Sequence, residues 1–267
     1  MLHFYFAGII VYGYTFWKKT SDKPRRLEIV KKIILVSLVV LNLLYFIFRI
    51  SAYGHAPITT MFEIMSLMSF GIVLTYLYIE LKTKETDTGF FILVIAGLLE
   101  VISFSFIEEL KEINPVLKTW VLGIHVSAAI IGYSGIILSG IYGFLYLRLY
   151  RKIKKNQVDS FFKKLPSLKL LSSLTRSAIS FGFIFFTFTI VQGFVWLPKA
   201  IDNFSYLDPK LISSTIIWLL YLGGYIGIIT KRFKINTLMK LAFAGSVFSV
   251  LSMMFVNIFL KSFHNFY

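Results

Sequence analysis

The chain of 267 residues holds four histidines and no cysteine, and that pairing bounds the chemistry open to it. His125 falls inside an apolar run, and His55 and His264 stand just beyond the ends of others. Neutral imidazole is the commonest protein ligand for metals and an axial ligand for haem iron. Without cysteine there is no disulfide framework, thiolate metal site, thiol redox relay or CxxCH haem-attachment motif in the chain itself. Structural zinc usually takes four nitrogen or sulfur donors, whereas a porphyrin brings four of its own and asks the protein for two. The residues alone leave two readings of His125 and His264: hydrogen-bonded core and tail histidines, or a pair of iron ligands. Glu63 opens an apolar run and Glu100 lies inside another. A charge at the centre of a spanning helix costs on the order of 2.5–3.5 kcal/mol, so each needs a reason, and orienting His55 or His125 is one. Trp196, Phe204, Tyr206, Phe263, Phe266 and Tyr267 are either an interfacial aromatic belt or flat walls for a porphyrin. Arg49, Lys199 and Lys210 are the cations available to its propionates.

The elements that carry these groups are membrane spans. A content of 57% hydrophobic and 15% charged residues, with a mean hydropathy of +0.76, excludes a water-soluble surface. Apolar runs approaching the length of about 20 residues that crosses a bilayer predict an all-α, polytopic bundle of about eight helices. They cover Leu2–Trp17, Ile33–Phe48, Met61–Ile79, Phe90–Ile107, Thr119–Leu147, Ser177–Leu197, Ser213–Thr230 and Leu241–Leu260. The first is short, but it lacks the basic flank and small-residue cleavage site of a signal peptide, so it is expected to stay as a span. A net charge of +15 would suggest nucleic acid in a soluble protein. Here it reports orientation. Segment 18–32 carries seven Lys and Arg, 81–89 two, 148–176 nine and 231–240 four, so 22 of the 28 lie on alternate loops. The positive-inside rule makes those loops cytoplasmic and both termini external. Segment 148–176 is expected to be a solvated loop, with an amphipathic stretch on anionic lipid (Phe161, Phe162, Leu165, Leu168, Leu170, Leu171) as the alternative. In this orientation Glu63, Glu100, His55, His125, His264 and loop 198–212 all fall in the outer half. That distribution points to an external site and not to a midplane transport site. No repeat or soluble segment interrupts what reads as one membrane domain over 1–267, with the lipid bilayer and no nucleic acid as its surroundings.

Several stretches recur in a telling order. Gly54-His55-Ala56-Pro57 is followed by Thr60-Met61-Phe62-Glu63, and Asn114-Pro115-Val116-Leu117 leads to Ile124-His125-Val126-Ser127 and Gly132-Tyr133. Gly193-Phe194-Val195-Trp196 runs through Asp208-Pro209-Lys210 to Trp218-Leu219, and Val256-Asn257 precedes Phe263-His264. From about residue 50 to the end, this order resembles the haem-handling cytochrome c assembly family in its CcsA/ResC branch. The resemblance implies that His125 and His264 are axial ligands to haem b, carried as substrate at the external face. It implies that Trp196, Asp208, Pro209 and Lys210 belong to the family's tryptophan-rich platform, with His55 and Glu63 as further residues of the haem site. It also implies a CcsB/ResB-like membrane partner in a haem lyase of the inner (cytoplasmic) cell membrane, and an apocytochrome c acceptor whose CxxCH thiols add to the haem vinyls. The chain departs from the family where Ile201, Ser205 and Leu207 replace tryptophans, and where Ile226 replaces a histidine of CcsA members. Those departures bring it toward the HemX type, similar in size and associated with control of haem synthesis.

Overall fold

The computed structural model describes residues 1–18, 25–106, 119–157, 159–200 and 204–259, which form nine helices and no strand. They are α1 (Leu2–Trp17), α2 (Arg25–Tyr53), α3 (Met61–Thr83), α4 (Gly89–Phe106), α5 (Trp120–Lys154), α6 (Ser160–Lys164), α7 (Leu168–Ala200), α8 (Pro209–Ile229) and α9 (Ile235–Phe259). Among the described residues seven of these, α2 to α5 and α7 to α9, are long and apolar enough to cross a membrane. The eighth expected span coincides with α1, whose 16 residues reach ~24 Å at 1.5 Å per residue, under a hydrocarbon core of ~30 Å. Several helices outrun the apolar runs at their basic ends: α2 starts at Arg25, α5 continues to Lys154 and α7 starts at Leu168. Hydropathy marks where hydrocarbon ends, while intrahelical hydrogen bonds continue into the headgroup region.

The helices cluster into two compact units, residues 1–111 with 149–168, and residues 112–148 with 169–267. In the first unit, α1 packs on α2 and α4, and α3 on α2 and α4, closing a ring of four helices. Its interior is polar at two levels. At one, Tyr5 Oη lies 2.9 Å from Ser69 Oγ and accepts from Asn42 Nδ2 at 3.2 Å, and Ser66 Oγ donates to Glu100 at 3.1 Å. At the other, Tyr12 Oη donates to the Glu80 carboxylate at 2.9 Å, and Lys31 Nζ donates to Glu28 (2.7 Å) and Thr86 (2.8 Å). Lys31 and Glu80 are both buried, so the expected confinement of unusual polar groups to one half does not hold in this unit. The charges escaped notice because they sit beside loops in the sequence, whereas the helices carry them into the packed interior. The level between is filled by Leu35, Leu38, Ile72, Val73 and Leu93, all inaccessible to solvent.

The short α6 completes this unit. Asp159 caps it by accepting from the Phe162 N–H, a bond that also holds the Asp159 carboxyl below its ordinary pKa. Phe161 packs edge-on against Phe16 and Phe91 and tilts onto Trp17, while Lys164 lies over the Trp17 ring and donates to the Trp17 carbonyl. The middle of the basic segment is therefore folded against α1 and α4.

The second unit contains α7 to α9 with most of α5, and small residues set its packing. A Cβ on Gly135 would lie 2.6 Å from Gly182 Cα, closer than real atoms approach, so α5 and α7 meet backbone to backbone there. Gly140 faces Ser246 and Gly143 faces Met239, bringing α5 against α9. Tyr221 of α8 reaches Ser139 of α5 at 2.9 Å and the Ala242 carbonyl of α9 at 3.4 Å, so one buried hydroxyl ties three helices. Trp218 of α8 donates to Thr187 of α7 at 2.9 Å.

Candidate functional site

His125 lies in the second turn of α5 and faces α7. A Cβ on Gly193 would sit 3.3 Å from His125 Cε1, a tight contact, so the half-buried imidazole is seated closely against Gly193 in the seam. Val121 lies one turn before His125, and its carbonyl accepts from Gln192 Nε2 of α7 at 2.9 Å. Gln192 escapes a search restricted to charges and imidazoles; an amide inside an otherwise apolar run was the signal that could have found it. Trp196 stands one turn further along α7 than Gly193 and is half-buried.

Chain direction brings the start of α5, the end of α7, the start of α8 and the end of α9 to one end of this unit. Phe194 of α7 stacks on Tyr206 at 5.9 Å, and Phe204 packs edge-on to Tyr206 at 4.7 Å, folding the segment before α8 onto α7. Asp208 is the N-cap of α8, its Oδ1 accepting from the N–H groups of Lys210 (2.9 Å) and Leu211 (3.3 Å). Pro209 takes the first helical position, where its missing N–H has no consequence and its fixed φ suits the turn. Asp208 is buried and its carboxylate faces inward to the helix, so the Asp-Pro pair has a local reason to exist: it starts α8.

Two apolar slots open at this end of the unit. One, of about 730 Å³, runs between the start of α8 (Pro209, Ile212, Ile216) and the end of α9 (Phe248, Phe255, Phe259). The other, of about 570 Å³, lies between α5 (Trp120, Ile124) and α7 (Phe185, Phe188). Both linings are aromatic and aliphatic, and neither includes His125 or Trp196. His264, the second expected ligand, lies outside the described residues, as do Asn114-Pro115-Val116-Leu117, Ile201, Phe263, Phe266 and Tyr267.

His55 and Glu63 belong to the first unit. The His55 ring is buried, and its Nδ1 lies 2.9 Å from the Ala56 carbonyl. A carbonyl can only accept, so Nδ1 is the donor in this bond. Glu63 is fully engaged. Its Oε1 accepts from Arg49 Nε (2.7 Å) and pairs with the second guanidinium nitrogen at 2.6 Å. Its Oε2 accepts from Thr59 N–H (2.7 Å), Thr59 Oγ1 (2.6 Å) and Thr60 N–H (3.2 Å), the last within a capping box that starts α3. Arg49, which also covers the Tyr53 ring, is thereby held by a carboxylate of its own unit.

Against known proteins, the family described as Cytochrome C assembly protein matches residues 1–264. The chain is 27% identical over 234 residues to Cytochrome c biogenesis protein CcsA of Guillardia theta, covering 80% of this chain and 77% of that protein. It is likewise 27% identical over 252 residues to the protein of that name from Prochlorococcus marinus (strain AS9601), covering 83% and 78%. Against that of Chlorella vulgaris the identity is 25% over 217 residues, covering 65% and 68%.

Proposed function

The chain belongs to the cytochrome c assembly protein family, and from that premise we propose that it holds haem b at the external face of the cell membrane for attachment to apocytochrome c. The observation that carries this reading is the setting of His125. It is a half-buried imidazole in the α5–α7 seam, at the end of the unit where Trp196 and the apolar slots also lie.

In this reading His125 and His264 bind the iron from its two sides. Histidine is a known protein ligand of haem iron, and ligation without a covalent bond to the protein would leave the haem exchangeable. Trp196, one turn from Gly193 on α7, covers a face of the porphyrin. The chain contributes no nucleophile, which accords with the absence of cysteine. The bonds to the haem vinyls are made by the acceptor's CxxCH thiols, with a CcsB/ResB-like membrane protein completing the lyase. Asp208 and Pro209 act by starting α8, so that the segment before it is folded onto α7. Lys210, at the second position of α8, is the cation this reading assigns to a propionate.

The absorption spectrum of the detergent-purified protein tests this directly. A Soret band is expected, with haem extractable by acid and acetone because it is not covalently held. His125→Ala and His264→Ala are each expected to lower haem affinity by at least about tenfold, the least that loss of even a supporting partner of a metal ligand costs. A Soret band indifferent to both substitutions removes the ligation scheme.

A further inference from the structure

We infer that Gln192 is a positioning residue for His125, a role that rests on the haem-holding reading above. The Gln192 side chain crosses from α7 to α5 and donates from Nε2 to the Val121 carbonyl at 2.9 Å. A carbonyl is only an acceptor, so the amide must present its NH₂ end, and the direction of the bond is fixed. In an α-helix the Val121 carbonyl also accepts from the N–H of residue 125. Gln192 therefore grips the very peptide group that closes the helical turn carrying His125.

The position of this grip matters because α5 begins just there. The first residues of a helix lack part of their intrahelical bonding and fray, and His125 is only five residues into α5. Deeper along the seam, α5 and α7 are locked by the contacts of Gly132 with Phe186 and of Gly135 with Gly182. Toward the end no glycine contact of that kind remains, and the imidazole itself, seated against Gly193, occupies the seam. Val121 and His125 are one turn apart on the same face of α5, and Gln192 and Gly193 are neighbours on α7. The two contacts form one clamp: the ring seats closely against Gly193 and Gln192 sets the height and rotation of the turn that presents it. The other end of the amide, Oε1, is buried with no hydrogen-bond partner among the described residues. A buried, unsatisfied acceptor is unfavourable, so the side chain is held in the seam by what its donor end does.

The test uses the full chain in nanodiscs, first without added haem. Gln192→Met keeps length and volume and removes the donor. Backbone hydrogen exchange over 119–127 is expected to quicken by roughly fivefold, the loss of one ordinary hydrogen bond. With only four histidines in the chain, ¹⁵N-imidazole spectra resolve His125, assigned by its loss in His125→Ala. Its signal is expected to move in Gln192→Met while that of His55 stays. Unchanged exchange together with an unchanged His125 signal overturns the inference. In haem-loaded protein, Gln192→Met is expected to lower the fraction of low-spin, bis-imidazole iron. A changed apo signal with an unaltered low-spin fraction reduces Gln192 to a structural tie and also overturns the inference. Failure of the haem-holding reading is distinguished because it appears as indifference of the Soret band to His125→Ala, whatever Gln192→Met does to the apo protein.

Discussion

Glu63 illustrates what a single residue discloses in sequence and what it withholds. A carboxylate at the mouth of an apolar run is visibly out of place, and that much is legible. Its partner Arg49 lies fourteen positions earlier on another helix, and only the closed ring of α1 to α4 brings the two together. The Glu63 side chain is buried, at 0% exposure, and Arg49 is partly so, at 11%. Breaking such a pair strands a charge and costs about 3–5 kcal/mol, whereas removing both partners costs much less. Arg49→Met and Glu63→Gln are each expected to lower the detergent unfolding temperature markedly, and the double variant to recover part of the loss. Strict additivity of the two single effects in the thermal melts would show that the charges act independently. Gln192 shows the opposite limit. Its type is ordinary, and its importance lies wholly in a carbonyl 71 positions away.

At the scale of elements, hydropathy located every long helix because hydrocarbon admits no other backbone than a fully hydrogen-bonded one. It misjudged their basic ends, as α2, α5 and α7 continue past the last apolar residue. It also left α6 unspecified: segment 148–176 reads as a solvated loop, whereas Phe161 in its middle packs on rings of α1 and α4. Asp208 was legible as a candidate site residue, but its geometry adds a role the motif alone does not disclose, the N-cap of α8. The two roles separate experimentally. Asn caps nearly as well as Asp, while Ala loses about 1 kcal/mol. If capping is what Asp208 contributes, Asp208→Asn keeps haem occupancy and thermal stability while Asp208→Ala lowers both. A loss of haem in Asp208→Asn at unchanged stability would instead assign the carboxylate a direct contact.

For the whole molecule, charge and hydropathy together made a polytopic all-α membrane protein legible, and with it the order of the spans. Its division into two helical units was not, because lipid-facing and core-facing apolar residues read alike in a sequence. The expected orientation rests on the 22 basic residues on alternate loops, and a cysteine-free chain suits a direct check. Gln157→Cys and Tyr206→Cys occupy exposed positions on opposite kinds of loop. A membrane-impermeant maleimide is expected to label Tyr206→Cys in intact cells and Gln157→Cys only after lysis, and the reverse pattern would invert the molecule. The first unit carries a further consequence at this scale. Its two polar levels are held apart by Leu35, Leu38, Ile72, Val73 and Leu93, a stratum closed to solvent. Tyr5 and Glu100 lie on one side of it, and Tyr12, Glu80 and Lys31 on the other. Lys31 and Asn42 stand eleven residues apart on α2, ~16 Å at 1.5 Å per residue, so substitutions at the two levels are expected to act additively on stability.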